Sequence, residues 1–379
     1  MAEGTKIKIA FCTDGIFPHS IGGIQRHSAL LLRELANYQD LEIHVLHPHD
    51  FEVFQDVNLI EHFIKPIQIS RNYLLETYKY SQRISEKLDK IKPDIIYAQG
   101  LTVWKNAKKF RRILINNPHG LESFQAIGFK EKLIGFLFKT IQRKIFKNSK
   151  YIASEGGHLT AILKKNGFAD KIVFLPNAVE LPTEFKLHYQ DSGEPIKVFF
   201  MARFVKNKGI HILFDAVQKL ANEKESSSFH FMLGGKGPLF EYYKKNNSFH
   251  HVELLGFLSD EELKQKYLEA DVFLLPTLFE GMPTVVLEAM SFGLPVIVSD
   301  VGGTSELINQ ETGYLIKRND SGAVCDAVKD FSLLTSDKKK ILGENSRKKV
   351  AEGFTWKKLA KMHHDLFIKI NQDNWRDTN

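Results

Sequence analysis

Cysteine is almost missing from this chain of 379 residues: only Cys12 and Cys325 occur. That excludes a disulfide scaffold and a structural zinc cluster, and it suits a reducing cytosol. No apolar run approaches the ~18 residues that a membrane span needs. Met1-Ala2-Glu3-Gly4 leads into an apolar strand after only a few residues. It lacks the longer apolar stretch and cleavage site of a signal peptide. The expectation is a soluble, cytoplasmic protein that can still adhere peripherally at the inner face of the plasma membrane.

Common catalytic signatures are missing as well. There is no G-x-x-x-x-G-K-[ST] loop, no H-E-x-x-H and no C-x-x-C. Gly234-Gly235-Lys236-Gly237 begins like a dinucleotide fingerprint, but Phe240 stands where its third glycine belongs. No Asp-x-Asp pair is present to hold a divalent metal on a diphosphate. These absences weigh against a P-loop kinase, an NAD dehydrogenase and a metal-dependent transferase. No cofactor and no metal are expected.

What is present is an ordinary globular balance, 43% apolar and 26% charged, which excludes wholesale disorder. Twenty-nine phenylalanines supply material for large cores. The net charge is +7, and residues 1–185 carry all of it. Such asymmetry points to an acidic partner on that half.

Short apolar runs alternate with amphipathic stretches almost throughout. The pattern predicts strands over 7–12, 41–46, 94–99, 113–116, 151–154 and 172–175, with helices over 22–38 and 73–91 among those between them. It lapses over 181–195, a polar stretch with Pro182, Gly193 and Pro195 that reads as a linker. It then resumes with strands over 196–201, 228–233, 252–255, 272–276, 295–299 and 314–316. Helices follow over 209–222, 260–269, 321–334, 337–352 and 356–371. Strand–helix alternation implies parallel sheets covered on both faces. The expected architecture is an N-terminal Rossmann-like domain over 1–180, the linker, and a second Rossmann-like domain over 196–355. A terminal helix at 356–372 is expected to pack back on the first domain. A cleft between two such doubly wound domains is the default ligand site.

Three segments carry chemistry. Phe279-Glu280-Gly281-Met282-Pro283-Thr284-Val285-Val286-Leu287-Glu288-Ala289-Met290 follows a strand. Pro283 suits the first turn of a helix, because its missing N–H would be unpaired there anyway. Glu280 then lies in the loop and Glu288 one to two turns into the helix. The amides around Gly281–Thr284 can hold phosphate or sugar oxygens. Carboxylates on either side of an anion site suit a ligand with hydroxyl-rich groups flanking a phosphate, the layout of a nucleotide sugar. Arg203-Phe204-Val205-Lys206-Asn207-Lys208-Gly209 sits between a strand and a helix, where Arg203 and Lys208 can converge on a diphosphate. In the first half, Gly22-Gly23 lets backbone approach a ligand closely.

Together these segments resemble the retaining glycosyltransferases of the GT-B fold, in the large sequence family numbered four. The most specific element is Glu280…Glu288, a Glu-x7-Glu pair; Leu233–Pro238, Leu255–Leu263 and Asp300-Val301-Gly302-Gly303…Glu306 match further recurrent elements. The resemblance covers nearly the whole chain. It implies that Arg203 and Lys208 grip the diphosphate, that Glu288 holds the ribose, and that Glu280 holds the hexose near the reacting carbon. Gly22 and Gly23 would close over the diphosphate, and Gly256, Phe257 and Leu258 would border the base. His119, in Asn117-Pro118-His119-Gly120, matches the histidine near the transferred sugar. The implied partners are a nucleotide sugar (UDP first, GDP second) and a glycan or lipid-linked acceptor in cell-surface polysaccharide or glycoconjugate synthesis, without nucleic acid. The sequence departs from the family at Ala178 and Glu180, where glycine and aspartate are usual, and at Gln25, where an acidic residue often stands. A GT-B epimerase or hydrolase shares the fold but not usually the Glu-x7-Glu element. A nucleic-acid-binding protein would be expected to interleave exposed aromatics with its basic residues.

Residues 129–150 carry seven basic side chains against Glu131 alone. Leu133, Leu137, Ile141 and Ile145 recur every four residues, and Lys132, Lys139, Arg143 and Lys147 are expected on the opposite face. A basic amphipathic helix of this kind can lie on anionic lipid or face the acceptor; packing of its apolar face on a sheet is the alternative.

Overall fold

The alternation of short apolar runs with amphipathic stretches becomes two parallel sheets. The computed structural model describes residues 6–20, 22–68, 72–125, 129–186, 188–189, 193–223 and 226–376, with backbone alone for 129–134, 226 and 375–376. The chain divides into two units. The first comprises Met1–Glu155, Leu159–Asn177 and Trp356–Asn379; the second comprises Gly156–His158 and Ala178–Thr355.

In the first unit the strands are β1 (Ile7–Cys12), β2 (Leu41–His47), β3 (Ile60–Phe63), β4 (Ile95–Gln99), β5 (Leu114–Asn117), β6 (Tyr151–Ser154) and β7 (Ile172–Phe174). They pair in the order β3-β2-β1-β4-β5-β6-β7, all parallel. Five of the six residues of β1 are buried, because helices cover both faces of the sheet. The helix Gly23–Leu35 turns Ala29, Leu31, Leu32 and Leu35 inward at helical spacing. The last helix, Trp356–Arg376, lies in this unit and buries Leu359, Ala360, His363, Phe367 and Ile370. His364 pins it further, stacking on Tyr38 and meeting Asp40 at 2.8 Å.

In the second unit β8 (Ile196–Met201), β9 (Phe229–Gly234), β10 (Val252–Gly256), β11 (Val272–Leu275), β12 (Val296–Ser299) and β13 (Gly313–Ile316) pair in the order β10-β9-β8-β11-β12-β13. Again every pair is parallel. Phe199, Phe200, Phe204, Phe229, Phe231 and Phe273 are fully buried, each contributing roughly 1.5–3 kcal/mol of apolar transfer free energy. The helix Asp260–Glu269 starts in a capping box: Ser259 Oγ accepts from the Glu262 amide while the Glu262 carboxylate accepts from the Ser259 amide at 2.8 Å.

Two elements are absent from the sequence reading. Strand β3 has no signal, because Ile-Glu-His-Phe is a short, half-exposed edge strand. The helix Phe240–Asn246 has only seven residues, too few to show a period. Within 181–195, read as a linker, the described residues Lys186 and Tyr189 bond to the second unit: Lys186 Nζ donates to Ala270 O and Asp271, and the Tyr189 hydroxyl donates to Gly293 O.

Candidate active site

Strands β8 and β11 are neighbours at the centre of the second sheet, where the strand order reverses direction. Ligands of doubly wound folds bind outside the carboxyl ends of strands at such a point. The segment after β8 carries Arg203 and Lys208, and the segment after β11 carries Glu280. The two are tied together. Thr277 Oγ1 and the Leu278 amide both donate to Asn207 O, at 3.0 and 2.8 Å. This tie brings Lys208 Nζ to 2.6 Å from Glu280 Oε1, with the carboxylate nine-tenths buried and the lysine about one-quarter exposed. Arg203 is exposed on the same loop.

The Glu280 loop is fixed from behind. Gly302 has φ +56°, and a side chain there would run into the carbonyls of Glu280 and Gly281. The Gly303 amide donates to Gly281 O at 2.7 Å. The following helix is Thr284–Ser291. Pro283 is its N-cap residue, with extended backbone (φ −70°, ψ 118°), and not its first helical residue. The reason is visible in the bonding: Pro283 O already accepts from Val286 and Leu287, so Pro283 closes the first turn from outside. The amides of Thr284 and Val285 then open the helix with no helical carbonyl to meet them. Glu288 lies one turn further on, where its Oε2 accepts from the Tyr267 hydroxyl at 3.1 Å. Met282 is 3% exposed and faces the core, so only its backbone can meet a ligand. Beside the loop, Arg318 lies over the Phe279 ring at 5.4 Å.

At the end of β10, Gly256 takes φ +73° and its carbonyl accepts from Gly235. Leu258 is buried under this turn, while Phe257 is 72% exposed and presents its ring to solvent.

In the first unit, Gly22 precedes the helix Gly23–Leu35 with extended backbone (φ 160°). Gln25 folds back here, donating to Asp14 Oδ1 at 3.1 Å and covering the Cα of Gly22. The side chain that departs from the family pattern therefore braces this loop. His119 follows β5 in the left-handed region, φ +55°. Its amide donates to Asn117 Oδ1, and Asn117 Nδ2 donates to the Tyr97 hydroxyl, so a buried chain holds the turn. The His119 side chain is 7% exposed, with Nδ1 3.8 Å from Glu155 Oε1. Its ring meets His27 edge-on at 4.8 Å, and His27 in turn meets Trp356 and bonds Asn177 Oδ1. Burial lowers the imidazoles of His27 and His119 to about 3, so both are neutral. Among the described residues, Nε2 of neither ring finds a hydrogen-bond partner.

The structure thus places Arg203, Lys208, Gly256, Phe257, Leu258, Glu280, Gly281, Met282, Pro283, Thr284 and Glu288 on the second unit, and Gly22, Gly23 and His119 on the first. The sequence reading missed Tyr267 and His27. An aromatic or histidine at helical spacing looks like core, and only the partner atom reveals otherwise. Among the described residues, no three His, Cys, Asp or Glu side chains group as metal ligands would.

The basic helix runs over Phe129–Lys147. Ile145 and Phe146 are buried, but Leu137 is 52% and Phe136 64% exposed. Lys139, expected on the solvated face, is half-buried with Nζ 5.1 Å over the Phe124 ring. A repeat of four drifts by roughly 40° per step against the 3.6-residue turn, which rotates Leu137 out and Lys139 in. Arg143 and Lys147 are exposed, and Arg143 donates to Asn166 Oδ1. The side chain of Lys132 lies outside the described residues. No helix among them is long and apolar enough to cross a membrane.

Two Rossmann-like units, each built on a parallel sheet, are the architecture of the GT-B class. The fold resembles sucrose-phosphate synthase from Thermosynechococcus elongatus (TM-score 0.77, 18% identity, 96% of this chain and 99% of that one). It also resembles HepE of Anabaena in complex with UDP-glucose (TM-score 0.65, 17% identity, 95% and 99%). The family model "Glycosyltransferase Family 4" matches residues 21–182, and "Glycosyl transferases group 1" matches residues 195–332. The chain carries both of these segments and is a GT-B glycosyltransferase. An uncharacterized glycosyltransferase of Methanocaldococcus jannaschii is 29% identical over 357 residues, 90% of this chain and 92% of that protein. The UDP-Gal:alpha-D-GlcNAc-diphosphoundecaprenol alpha-1,3-galactosyltransferase of Escherichia coli is 37% identical over 147 residues, 37% of each chain.

Proposed function

We propose that this protein moves a hexose from a nucleotide sugar to a glycan or lipid-linked acceptor with retention of anomeric configuration and without a metal. It would act in cell-surface polysaccharide or glycoconjugate synthesis. The observation that carries the reading is the Lys208–Glu280 pair after β11, just ahead of the helix Thr284–Ser291 that carries Glu288. Arg203, Lys208 and the first helical amides would take the negative charge that grows on the leaving diphosphate. Glu288 would accept from the ribose hydroxyls and Glu280 from those of the hexose. Gly22 and Gly23 would add backbone amides, and Phe257 would border the base. Neutral His119 would accept from or donate to a sugar hydroxyl through Nε2. The glycosyl carbon gains positive character as the bond to phosphate breaks, which neighbouring oxygens stabilise. The leaving phosphate would take the acceptor proton on the same face. UDP-sugars are the first choice of donor and GDP-sugars the second; HepE with UDP-glucose and the UDP-Gal-named relative favour UDP.

Incubation of the protein with a donor panel and acceptor glycans should release nucleoside diphosphate and give a product of retained configuration by proton NMR, unaffected by EDTA. Glu280→Ala should lower the rate at least roughly 100-fold. No turnover with any donor, or an unchanged rate in the variant, overturns the reading.

The exposed Phe136 and Leu137 on a basic helix favour a second element of the same function. This helix would rest on anionic lipid head groups, near a lipid-linked acceptor.

A further inference from the structure

Tyr267 belongs to no recognised motif of the chain, and its ring is deep in the second unit. It stacks on Phe292 at 5.1 Å and meets Phe199 edge-on at 5.3 Å and Phe273 at 6.1 Å. Such packing leaves the ring one orientation. Its hydroxyl therefore arrives at a fixed point, 3.1 Å from Glu288 Oε2 and 3.4 Å from Val285 O. The side chain is 1% exposed, so this phenol is a core group whose polar end emerges beside the site.

A glutamate on a helix is a loose instrument. Its terminal torsion is broad and roughly two-fold, and its two oxygens interchange freely when nothing holds them. A carboxylate has about four acceptor positions, and a cis diol needs two of them at one defined angle. A phenol that donates to one oxygen fixes the plane of the carboxylate, and with it the angle at which vicinal hydroxyls would be met.

We propose that Tyr267 is a positioning residue for Glu288, setting the carboxylate plane that reads the 2′ and 3′ hydroxyls of a nucleotide's ribose. This inference rests on the nucleotide-sugar reading above and adds the group that makes the site selective for ribose over deoxyribose.

The test is calorimetric titration of wild type and Tyr267→Phe with UDP, GDP and their 2′,3′-dideoxy counterparts, with melting temperature followed in parallel. Removal of the hydroxyl should weaken binding of the ribonucleotide about fivefold to tenfold and leave the dideoxy form within about twofold. In a Glu288→Ala background the same change should have no further effect. Equal weakening for both sugars, no weakening for either, or a full effect without Glu288 would assign Tyr267 to packing alone and overturn the proposal. A wild type that binds neither UDP nor GDP overturns the nucleotide reading itself, and this inference falls with it. Wild-type binding with an unselective variant effect overturns this inference only.

Discussion

His27, His119 and His363 sit together in the first unit, and burial lowers each to about 3. His363 bonds its own helix through Nδ1 to Leu359 O, and its ring meets Tyr97 at 5.0 Å. An imidazole that stays neutral in the fold but titrates near 6.5 when unfolded takes up its proton only in the unfolded chain. Stability is therefore complete above about pH 6.5 and falls continuously as pH drops from there toward 3. The loss should reach roughly 1–2 kcal/mol per imidazole by pH 5. Melting temperature between pH 8 and pH 4 should show this decline, and His363→Leu should make it shallower. A decline of the same steepness in the variant would assign the acid sensitivity elsewhere. None of this was legible in the sequence, where 15 histidines offer no sign of which three meet. Lys208 and Glu280 were legible, because each sits in a strand–loop–helix turn whose chemistry is local.

At the level of elements, hydrophobic period decided most outcomes. The helices Tyr73–Ile91 and Asp260–Glu269 have the limits their patterns predict, one ended by the residue before Pro93 and the other started by its capping box. The basic helix Phe129–Lys147 shows where a period misleads, because a four-residue repeat is not a helical turn. With Phe136 and Leu137 outward among Lys144, Lys147 and Arg143, it should carry the protein onto phosphatidylglycerol vesicles but not phosphatidylcholine ones. Cosedimentation should fall in about 0.5 M salt and in a Phe136→Ser, Leu137→Ser double variant. Equal and negligible binding to both lipids would remove the membrane from the function. The basic excess of the first half, +6 of which lies in 129–150, would then serve the acceptor alone.

Taken as a whole, the molecule repeats one rule twice: parallel strands bring loops distant in sequence to one sheet edge. Lys208 and Glu280 lie 72 residues apart and meet because β8 pairs with β11. A sequence shows the strands but not their order, which is why Tyr267, 21 residues from Glu288, stayed hidden until the sheet was assembled. The Lys208–Glu280 pair has a consequence for turnover. On the proposed reading, the cation that would receive the diphosphate is already paired with a carboxylate of the protein itself, so donor binding would exchange one anion for another. Glu280 would then be a resident competitor that reclaims Lys208 once the sugar has left and so hastens departure of the spent nucleotide. Glu280→Ala, though impaired in transfer, should for that reason hold UDP more tightly than wild type by calorimetry, whereas unchanged or weaker binding would show that the carboxylate does not compete. The residue proposed to hold the sugar would then also be the one that empties the site for the next cycle.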